Sequence, residues 1–500
     1  MIKVLLVYPP RLAGGRLEED KLGLLYMAAF LRLNNVDVAV YDSQLEQNSF
    51  RELIRLLKRY KPDIIGVSVS TQIRSDAFKT AEIAKKINRN ILVVAGGPHV
   101  TAAAIDTLKY IKAIDIGVVG EGEYTFLEIC NSFANKTDFA KIKGIAFRGK
   151  EGVIVNPKRE RINNLDTLPF PARDLLQKYN KKERDRYQSD IEMPDGTIIK
   201  VPNAAIITGR GCPFNCLFCA APEIWGKVVK LRSLENVIAE IKHLREEFGV
   251  NSFRFCDDTL NVTKKRTLDL CNLIIKEKLD VKWQCNIRVD NVNREILRIM
   301  KEAGCYIVSM GVESGSQRVL ENVIDKGITL EKVREVVRWC DEFGIKRNCN
   351  FMYSHPDETR EDLKKTQEFM KELGGRQPFG PTIILPGSRI EKIAKEKNIL
   401  PKDFSWAKMS PYKYYDPTSN SFVPIFVDKL SWQEILDIFY KHISTQSVTR
   451  TRNYIYHVID RIFRCRSLAE AKIILWNYLV LLKVFIRNTF KLKKEGSNKR

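Results

Sequence analysis

The chain has 500 residues, of which 44% are hydrophobic and 29% charged, a composition typical of soluble globular protein with about two to four domains. Its formal charge of +22 indicates an acidic partner or surface, such as anionic lipid, nucleic acid or a phosphorylated substrate, and carries no information about fold. With 11 cysteines in so long a chain and an N-terminus that reads directly as a strand, we expect no disulfide framework and a reducing, cytoplasmic location.

Residues 1–135 alternate short apolar strands with helical patterns, which predicts an open, doubly wound parallel sheet of the Rossmann-like type. The predicted strands are 2–8, 36–41, 64–68, 91–95 and 116–119, with helices such as 24–33 and 75–87 between them. Ligands of such sheets lie beyond the carboxyl ends of the strands, so the turns at that edge are candidate ligand contacts. The candidates are Ser68, Gly96, Gly97, His99, Gly120, Glu121 and Gly122.

Residues 136–200 are predicted to form a linker and a flap. Closely spaced prolines, including Pro169 and Pro171, disfavour helix, and the chain from 144 to 175 is expected to be irregular. The polar stretch 181–196 is expected to form a hairpin or flap.

Residues 201–395 repeat a strand followed by an amphipathic helix. The predicted strands are 204–208, 253–255, 281–287, 306–312, 346–352 and 381–385. Six such units are too few to close an eight-unit barrel, so we expect a partial (β/α)6 barrel with its active site at the carboxyl ends of the strands.

Three cysteines, Cys212, Cys216 and Cys219, form a CxxxCxxC loop directly after the first barrel strand. Three thiolates in so short a loop can hold three irons of a cubane cluster and leave the fourth iron open to a substrate or cofactor. A structural zinc site and three unrelated cysteines are the alternatives. The zinc site is disfavoured because no second Cys or His pair follows at zinc-finger spacing.

Polar residues stand at the carboxyl ends of the later barrel strands, where they can reach a shared site. They are Asp257, Asp258, Arg288, Glu313, Ser314 and Ser354. For Asp258, Ser314 and Ser316, capping of the following helix is an equally good interpretation. Cys256 beside the aspartates is either a small core residue or a thiol that donates hydrogen to a radical.

The cysteine loop, with Phe218 directly before its third cysteine, resembles that of the radical S-adenosylmethionine superfamily. The resemblance implies a 4Fe-4S cluster whose open iron chelates S-adenosylmethionine, which an electron cleaves to a 5′-deoxyadenosyl radical. It also implies roles for the strand ends: Asp257 and Asp258 for the methionine amino group, Arg288 for its carboxylate, Glu313 and Ser314 for the ribose, and Ser354 at a position near the adenine where relatives carry glycine.

Several segments of residues 1–135 resemble the cobalamin-binding domain that is fused to one branch of this superfamily. They are Pro9-Pro10, Leu22-Gly23-Leu24, Gly66-Val67-Ser68, Gly97-Pro98-His99 and Gly120-Glu121-Gly122-Glu123. The Asp-x-His-x-x-Gly loop that supplies a cobalt ligand elsewhere is absent between Pro10 and Gly23, so cobalamin is expected without a histidine from this loop, and loss of corrin binding stays open. His99 is a possible ligand, but a turn histidine satisfied by the backbone is favoured.

Residues 396–500 are predicted to form a basic helical region with helices at 432–443 and 468–490. Residues 441–500 contain 14 Lys and Arg against 3 Asp and Glu. A basic region with an apolar helix can attach to an anionic membrane surface, here the inner face of the cell membrane, or pack against the barrel. Both interpretations stay open.

The resemblance implies a cobalamin-dependent radical S-adenosylmethionine enzyme that methylates an unactivated carbon of a hydrophobic substrate, such as a lipid, a tetrapyrrole or another natural product. An oxidative cyclase or another radical rearrangement is the alternative within the family, and a reductant such as flavodoxin or ferredoxin is expected as partner. The alternative from another class is an RNA-binding or RNA-modifying protein, which the charge suggests but which lacks a recognisable RNA-binding module.

Overall fold

The computed structural model describes residues 2–10, 20–45, 50–180, 188–193, 196, 198–202, 204–375, 377–408, 412, 414–416 and 423–444, together with 475 and 479. The strands are β1 Lys3–Tyr8, β2 Asp37–Asp42, β3 Ile64–Ser68, β4 Leu92–Gly96, β5 Ile116–Val118, β6 Ile145–Arg148, β7 Val153–Val155, β8 Gln188–Glu192, β9 Ile198–Pro202, β10 Ala204–Ile206, β11 Gly209–Arg210, β12 Lys230–Leu231, β13 Ser252–Phe255, β14 Lys282–Ile287, β15 Cys305–Glu313, β16 Lys346–Tyr353 and β17 Phe379–Pro381. The helices are α1 Leu22–Leu33, α2 Phe50–Tyr60, α3 Arg74–Ile87, α4 Pro98–Tyr110, α5 Glu123–Asn135, α6 Ala221–Trp225, α7 Leu234–Phe248, α8 Lys264–Lys276, α9 Arg294–Glu302, α10 Gln317–Asn322, α11 Leu330–Glu342, α12 Arg360–Glu372, α13 Arg389–Glu396 and α14 Trp432–Ser444.

The first sheet confirms the predicted doubly wound architecture. Its strand order is β2-β1-β3-β4-β5-β6-β7, and the first five strands are parallel. The last two strands are antiparallel and lie where an irregular chain was expected, so that expectation is wrong for 145–155. Ile145 and Ala146 are fully buried. Strand β6 is stabilised by pairing with β5, and it is too short for an alternation of apolar and polar residues to mark it as a strand in the sequence.

The second sheet confirms the partial barrel, with six parallel strands in the order β10-β13-β14-β15-β16-β17. The sixth strand was predicted at 381–385 and lies instead at Phe379–Pro381. The residues that follow leave the sheet because Ile383 forms an antiparallel bridge with Ile425 of the C-terminal region. The division of the chain into the four ranges 1–135, 136–200, 201–395 and 396–500 stays a prediction.

Local signals explain why the predicted helices form where they do. Helix α7 begins after Ser233, whose side chain accepts a hydrogen bond from the Asn236 N–H, and ends at Gly249 in the left-handed conformation. Helix α12 begins with a reciprocal capping box between Thr359 and Asp362. These caps satisfy backbone groups that would otherwise be unpaired at the helix ends.

The flap and the C-terminal region pack in different ways. Strands β8 and β9 pair antiparallel, so a hairpin forms in this region, but its second strand lies beyond the predicted 181–196. The first predicted tail helix corresponds to α14, and it packs against the barrel edge through Ile435 beside Tyr353 and Leu430. The second, at 468–490, lies outside the described residues apart from Leu475 and Leu479. Within the described part of the chain, no helix combines the length and apolar character that a membrane span requires.

Candidate active site between the two sheets

A buried ion pair network joins the carboxyl edge of the first sheet to the start of the cysteine loop. The Arg210 guanidinium contacts Glu121 at 2.8 Å and Glu123 at 2.7 Å, and these three side chains are only 5–7% exposed. The rings of Tyr26 and Trp225 lie 5.6 Å and 5.7 Å from the same guanidinium. The predicted ligand contact Glu121 therefore holds the two sheets together through Arg210.

The cysteine loop is anchored to the barrel by its backbone. The Leu217 N–H donates to the Ile324 carbonyl at 3.0 Å, and the Ile390 N–H donates to the Leu217 carbonyl at 3.1 Å. Arg389 donates to the Asn215 carbonyl at 2.7 Å. The loop between Cys212 and Cys219 is thus held by the segment after α10 and by the start of α13.

The three cysteines are free, with Cys216 buried and Cys212 and Cys219 half-buried. The Cys219 sulfur accepts a hydrogen bond from the Ala221 N–H at 3.4 Å. Burial raises the pKa of Cys219 to about 11 and also raises the pKa of Cys212. Binding of a metal cluster must therefore displace protons from these thiols.

No three His, Cys, Asp or Glu side chains of the described chain lie close enough together to hold one metal ion. A cubane cluster does not require such convergence, because each thiolate binds a separate iron. The cysteine loop fits such a cluster, because it holds three thiols in place and the Cys219 sulfur accepts a hydrogen bond from a backbone N–H.

The two aspartates after β13 have different surroundings. Asp257 is buried and accepts hydrogen bonds from the Thr208 N–H and from the Thr208 hydroxyl at 2.8 Å, and burial raises its pKa to about 6. Asp258 is exposed, although the protein around it removes enough water to raise the pKa of its carboxyl. Its carboxylate has no hydrogen bond to any described residue, and α8 is capped by Thr263. Capping is therefore excluded for Asp258, which faces the cysteine loop.

Glu313 forms an ion pair with a lysine that the sequence analysis missed. The Lys326 ammonium lies 3.0 Å from a Glu313 carboxylate oxygen, and both side chains are about nine-tenths buried. Burial acts to lower the pKa of Lys326, but the charge and hydrogen bond of Glu313 together with the nearby Cys216 thiol outweigh it, so the pKa lies above its ordinary value. Lys326 also lies 5.9 Å from the Phe218 ring, within the cysteine loop. No local motif marks Lys326, because its burial depends on tertiary contacts.

Arg288 is engaged by neighbours on three sides. It pairs with Asp290 at 2.9 Å, lies 3.5 Å from the Phe214 ring centroid and donates to the Lys326 carbonyl at 2.7 Å. It therefore stabilises the same loop that carries the cysteines.

The side chains of Ser314 and Ser354 form hydrogen bonds within the protein. The Ser314 hydroxyl accepts from the Ser316 N–H and contacts the Thr366 hydroxyl, both at 3.1 Å, so it braces the start of α10 rather than capping it. Ser316 is the residue before α10 but makes no side-chain cap bond. Ser354 has φ of 65° and donates to the Phe426 carbonyl at 2.5 Å. The left-handed φ explains the glycine that relatives carry there.

Comparison with known proteins identifies the two halves of the chain. A family model described as Radical SAM superfamily matches residues 206–370, and one described as B12 binding domain matches residues 13–130. The chain is 36% identical over 424 residues to the protein named Uncharacterized methyltransferase PH0819 of Pyrococcus horikoshii, covering 83% of this chain and 87% of that protein. The chain belongs to the cobalamin-binding radical S-adenosylmethionine family.

Two further matches agree with this family. The chain is 30% identical over 357 residues to the anaerobic magnesium-protoporphyrin IX monomethyl ester cyclase of Rubrivivax gelatinosus, covering 69% of this chain and 61% of that protein. The fold matches the radical S-adenosylmethionine methyltransferase TsrM of Kitasatospora setae with a TM-score of 0.70 and 18% identity over 90% of each chain. The predicted family, enzymatic class and cofactors, namely the 4Fe-4S cluster, S-adenosylmethionine and cobalamin, are confirmed.

In this radical S-adenosylmethionine enzyme the residues predicted to surround the corrin lie at strand ends and turns of the first sheet. Gly97 has φ of 105°, and an added Cβ would lie 2.9 Å from the Val69 carbonyl oxygen. Gly120 has φ of 88° and open space where a side chain would stand, whereas Gly122 packs against Met27. Ser68 and Gly96 end adjacent strands and are half-buried.

His99 is fully buried instead of facing that edge. Its Nδ1 lies 3.1 Å from the Thr71 hydroxyl, and its ring packs edge-on against Trp406 at 6.4 Å. Burial lowers its pKa well below the ordinary value, with the Arg74 charge acting in the same direction. These contacts favour a structural role for His99 and involve a hydroxyl rather than the backbone.

Cys256 lies between the two sheets. It is half-buried and packs against the cluster that contains Tyr26 and Leu22 of α1. Its role as a hydrogen donor stays a prediction.

Proposed function

We propose that this enzyme is a methyltransferase that delivers a methyl group to an unactivated carbon of a small molecule. The observation that carries the proposal is the network in which Arg210, two residues before Cys212, bridges Glu121 and Glu123. Because of this network, the carboxyl edges of both sheets border one space. Such a space suits a reaction in which two cofactors act on one substrate. The methyltransferase name of the 36% identical relative supports the same conclusion.

When bound, the cluster with S-adenosylmethionine supplies hydrogen abstraction from the substrate carbon, and cobalamin supplies a methyl group. Cys212, Cys216 and Cys219 are the proposed cluster ligands. The free carboxylate of Asp258 is suited to accept hydrogen bonds from the methionine ammonium, because charge-assisted bonds of this kind are strong. Asp257, whose carboxylate is used by Thr208, is assigned instead to hold the end of β10 in place.

An oxidative cyclase is the second candidate, since the chain is 30% identical to a cyclase over 69% of its length. The two candidates differ in the fate of the methyl group. We also propose a flavodoxin or ferredoxin as electron donor. Attachment to a membrane surface depends on residues outside the described part of the chain and stays a prediction.

The test uses anaerobically reconstituted enzyme with S-adenosylmethionine that carries a deuterated methyl group. It is incubated with extracts of the native host, with and without cobalamin. A methyltransferase gives a product that carries the label only when cobalamin is present. Products that form without label, together with 5′-deoxyadenosine, would favour the cyclase and refute methyl transfer.

A further inference from the structure

The concave face of the partial barrel is polar along three strands. Side chains alternate between the two faces of a strand. On β14, β15 and β16 one set, including Trp283, Val308 and Cys349, is buried in the core formed with the surrounding helices. The opposite set points into the barrel and includes five half-buried polar residues, which we call the amide wall: Gln284, Asn286, Ser309, Asn348 and Asn350.

The members of the amide wall lie at matching levels of the sheet. Asn286 pairs with Ser309, and Ser309 pairs with Asn348, in the parallel register. The Asn348 amide donates to the Ser309 hydroxyl at 3.3 Å. Asn350 lies one level higher, beside Gly311. The wall is therefore a continuous polar surface that crosses three neighbouring strands.

Two members of the wall have unused hydrogen-bonding capacity. The side-chain amides of Gln284 and Asn350 make no hydrogen bond with any residue of the described ranges. Each amide offers two donor hydrogens and an acceptor oxygen. The interior of a closed barrel is filled instead by branched apolar side chains that pack against one another. This face of the sheet is thus suited to hold a ligand.

The upper end of the wall reaches the ion pair beside the cysteine loop. An added Cβ at Gly311 would lie 2.1 Å from the Glu313 carboxylate and 2.9 Å from the Lys326 ammonium. The ion pair therefore sits directly over Gly311, next to Asn350. On the neighbouring strands the same face is covered, because Ala205 and Cys256 pack against Tyr26 of α1. On this face Arg254 of β13 also donates to the Asn286 side-chain oxygen at 3.2 Å, and Ile307, which pairs with Gln284, packs against Met193. The half-buried amides of Gln284 and Asn350 are the members of the wall that these contacts leave without a hydrogen bond to a described residue.

We infer that the amide wall binds a polar portion of the substrate, which makes the substrate a water-soluble small molecule bearing amide, hydroxyl or carboxylate groups. This inference rests on the proposed function, because it concerns the molecule on which the radical chemistry acts. A hydrocarbon in this position would remove water from the amides without replacing their hydrogen bonds. Each group left unpaired costs about 1 to 3 kcal/mol. The family resemblance suggested a hydrophobic substrate, whereas the amide wall favours a polar one.

The test measures 5′-deoxyadenosine release from the reconstituted full-length enzyme, which does not depend on whether a methyl group is transferred. Host extract is divided into an aqueous and an organic phase, and each phase is titrated into the reaction. We expect the aqueous phase to stimulate release. Asn350→Leu and Gln284→Met each remove a side-chain amide without breaking a described hydrogen bond. In these variants the amount of aqueous phase that gives half-maximal 5′-deoxyadenosine release should rise roughly ten-fold. Asn272→Leu on the exposed face of α8 is the matched control and should behave as wild type.

Stimulation by the organic phase alone, by neither phase, or equally in wild type and both amide variants would overturn the inference. Retention of label from deuterated S-adenosylmethionine tests the proposed function separately. If the aqueous phase stimulates release but no product carries the label, methyl transfer is refuted and the assignment of the amide wall stands.

Discussion

Replacement of Arg210 by glutamine tests the network that joins the two sheets. The change leaves the carboxylates of Glu121 and Glu123 buried together without their cation, although Glu121 keeps a hydrogen bond from the Ile162 N–H at 2.7 Å. Breaking a buried ion pair from one side costs about 3 to 5 kcal/mol, because an uncompensated charge remains. Loss of packing between Tyr26 and the guanidinium adds to this. We therefore expect Arg210→Gln to lower the free energy of unfolding by about 3 to 5 kcal/mol.

The measurement is urea unfolding of the anaerobic protein, with small-angle scattering to detect separation of the two sheets. The control is Arg334→Gln, which breaks an exposed pair with Glu372 at 2.5 Å and should cost no more than about 1 kcal/mol. The triple replacement of Arg210, Glu121 and Glu123 by glutamine should recover part of the loss, since it removes the unpaired charges. An Arg210→Gln protein as stable and as compact as Arg334→Gln would refute the reasoning.

Four other results are expected. Cys216→Ala removes one of three cluster ligands, so iron content and S-adenosylmethionine cleavage should fall together; full iron content in this variant would contradict the assignment. Burial raises the pKa of Glu358 from 4.5 to about 7, so ionisation of this carboxyl destabilises the folded protein increasingly as pH rises through this range. The free energy of unfolding of Glu358→Gln relative to that of wild type should therefore increase by about 3 kcal/mol between pH 4.5 and 7. A pH-independent difference between the two proteins would refute this prediction. Spectra of bound cobalamin should be unchanged in His99→Ala, and loss of a nitrogen ligand would show that His99 binds cobalt. The full-length protein should pellet with anionic liposomes, and a chain ending at Ser444 should keep its cluster but stay in solution. A chain ending at Ser431 should aggregate because the barrel edge loses α14. Equal liposome binding by the Ser444 chain and the full-length protein would exclude the tail as the attachment site.

The packing of α14 changes how the C-terminal region is tested. Loss of this helix would expose Tyr353 and Leu430, and Arg360 would lose its ion pair with Glu434. Sequence composition could not separate attachment to a membrane from packing against the barrel, because an amphipathic helix suits both. Helix α14 packs against the barrel, whereas the helix predicted at 468–490, to which the two alternatives apply, lies outside the described residues apart from Leu475 and Leu479, so both alternatives stay open.

The sequence by itself determined the family and most strands and helices of the two sheets, because both depend on local patterns. Helix α7 spans Leu234–Phe248 because a serine cap and a terminal glycine are local signals in the sequence. The CxxxCxxC spacing likewise predicts a cluster from neighbouring residues, as its chemistry depends on a short loop.

Only the tertiary structure decided which strand-end residues are free to bind ligands. Asp257 and Asp258 are adjacent in sequence, yet Thr208 occupies one carboxylate and leaves the other open. The burial of Lys326, the interdomain role of Arg210 and the polar face of β14 to β16 likewise result from contacts between distant segments. No local pattern encodes such contacts, because they depend on how the sheets close against each other.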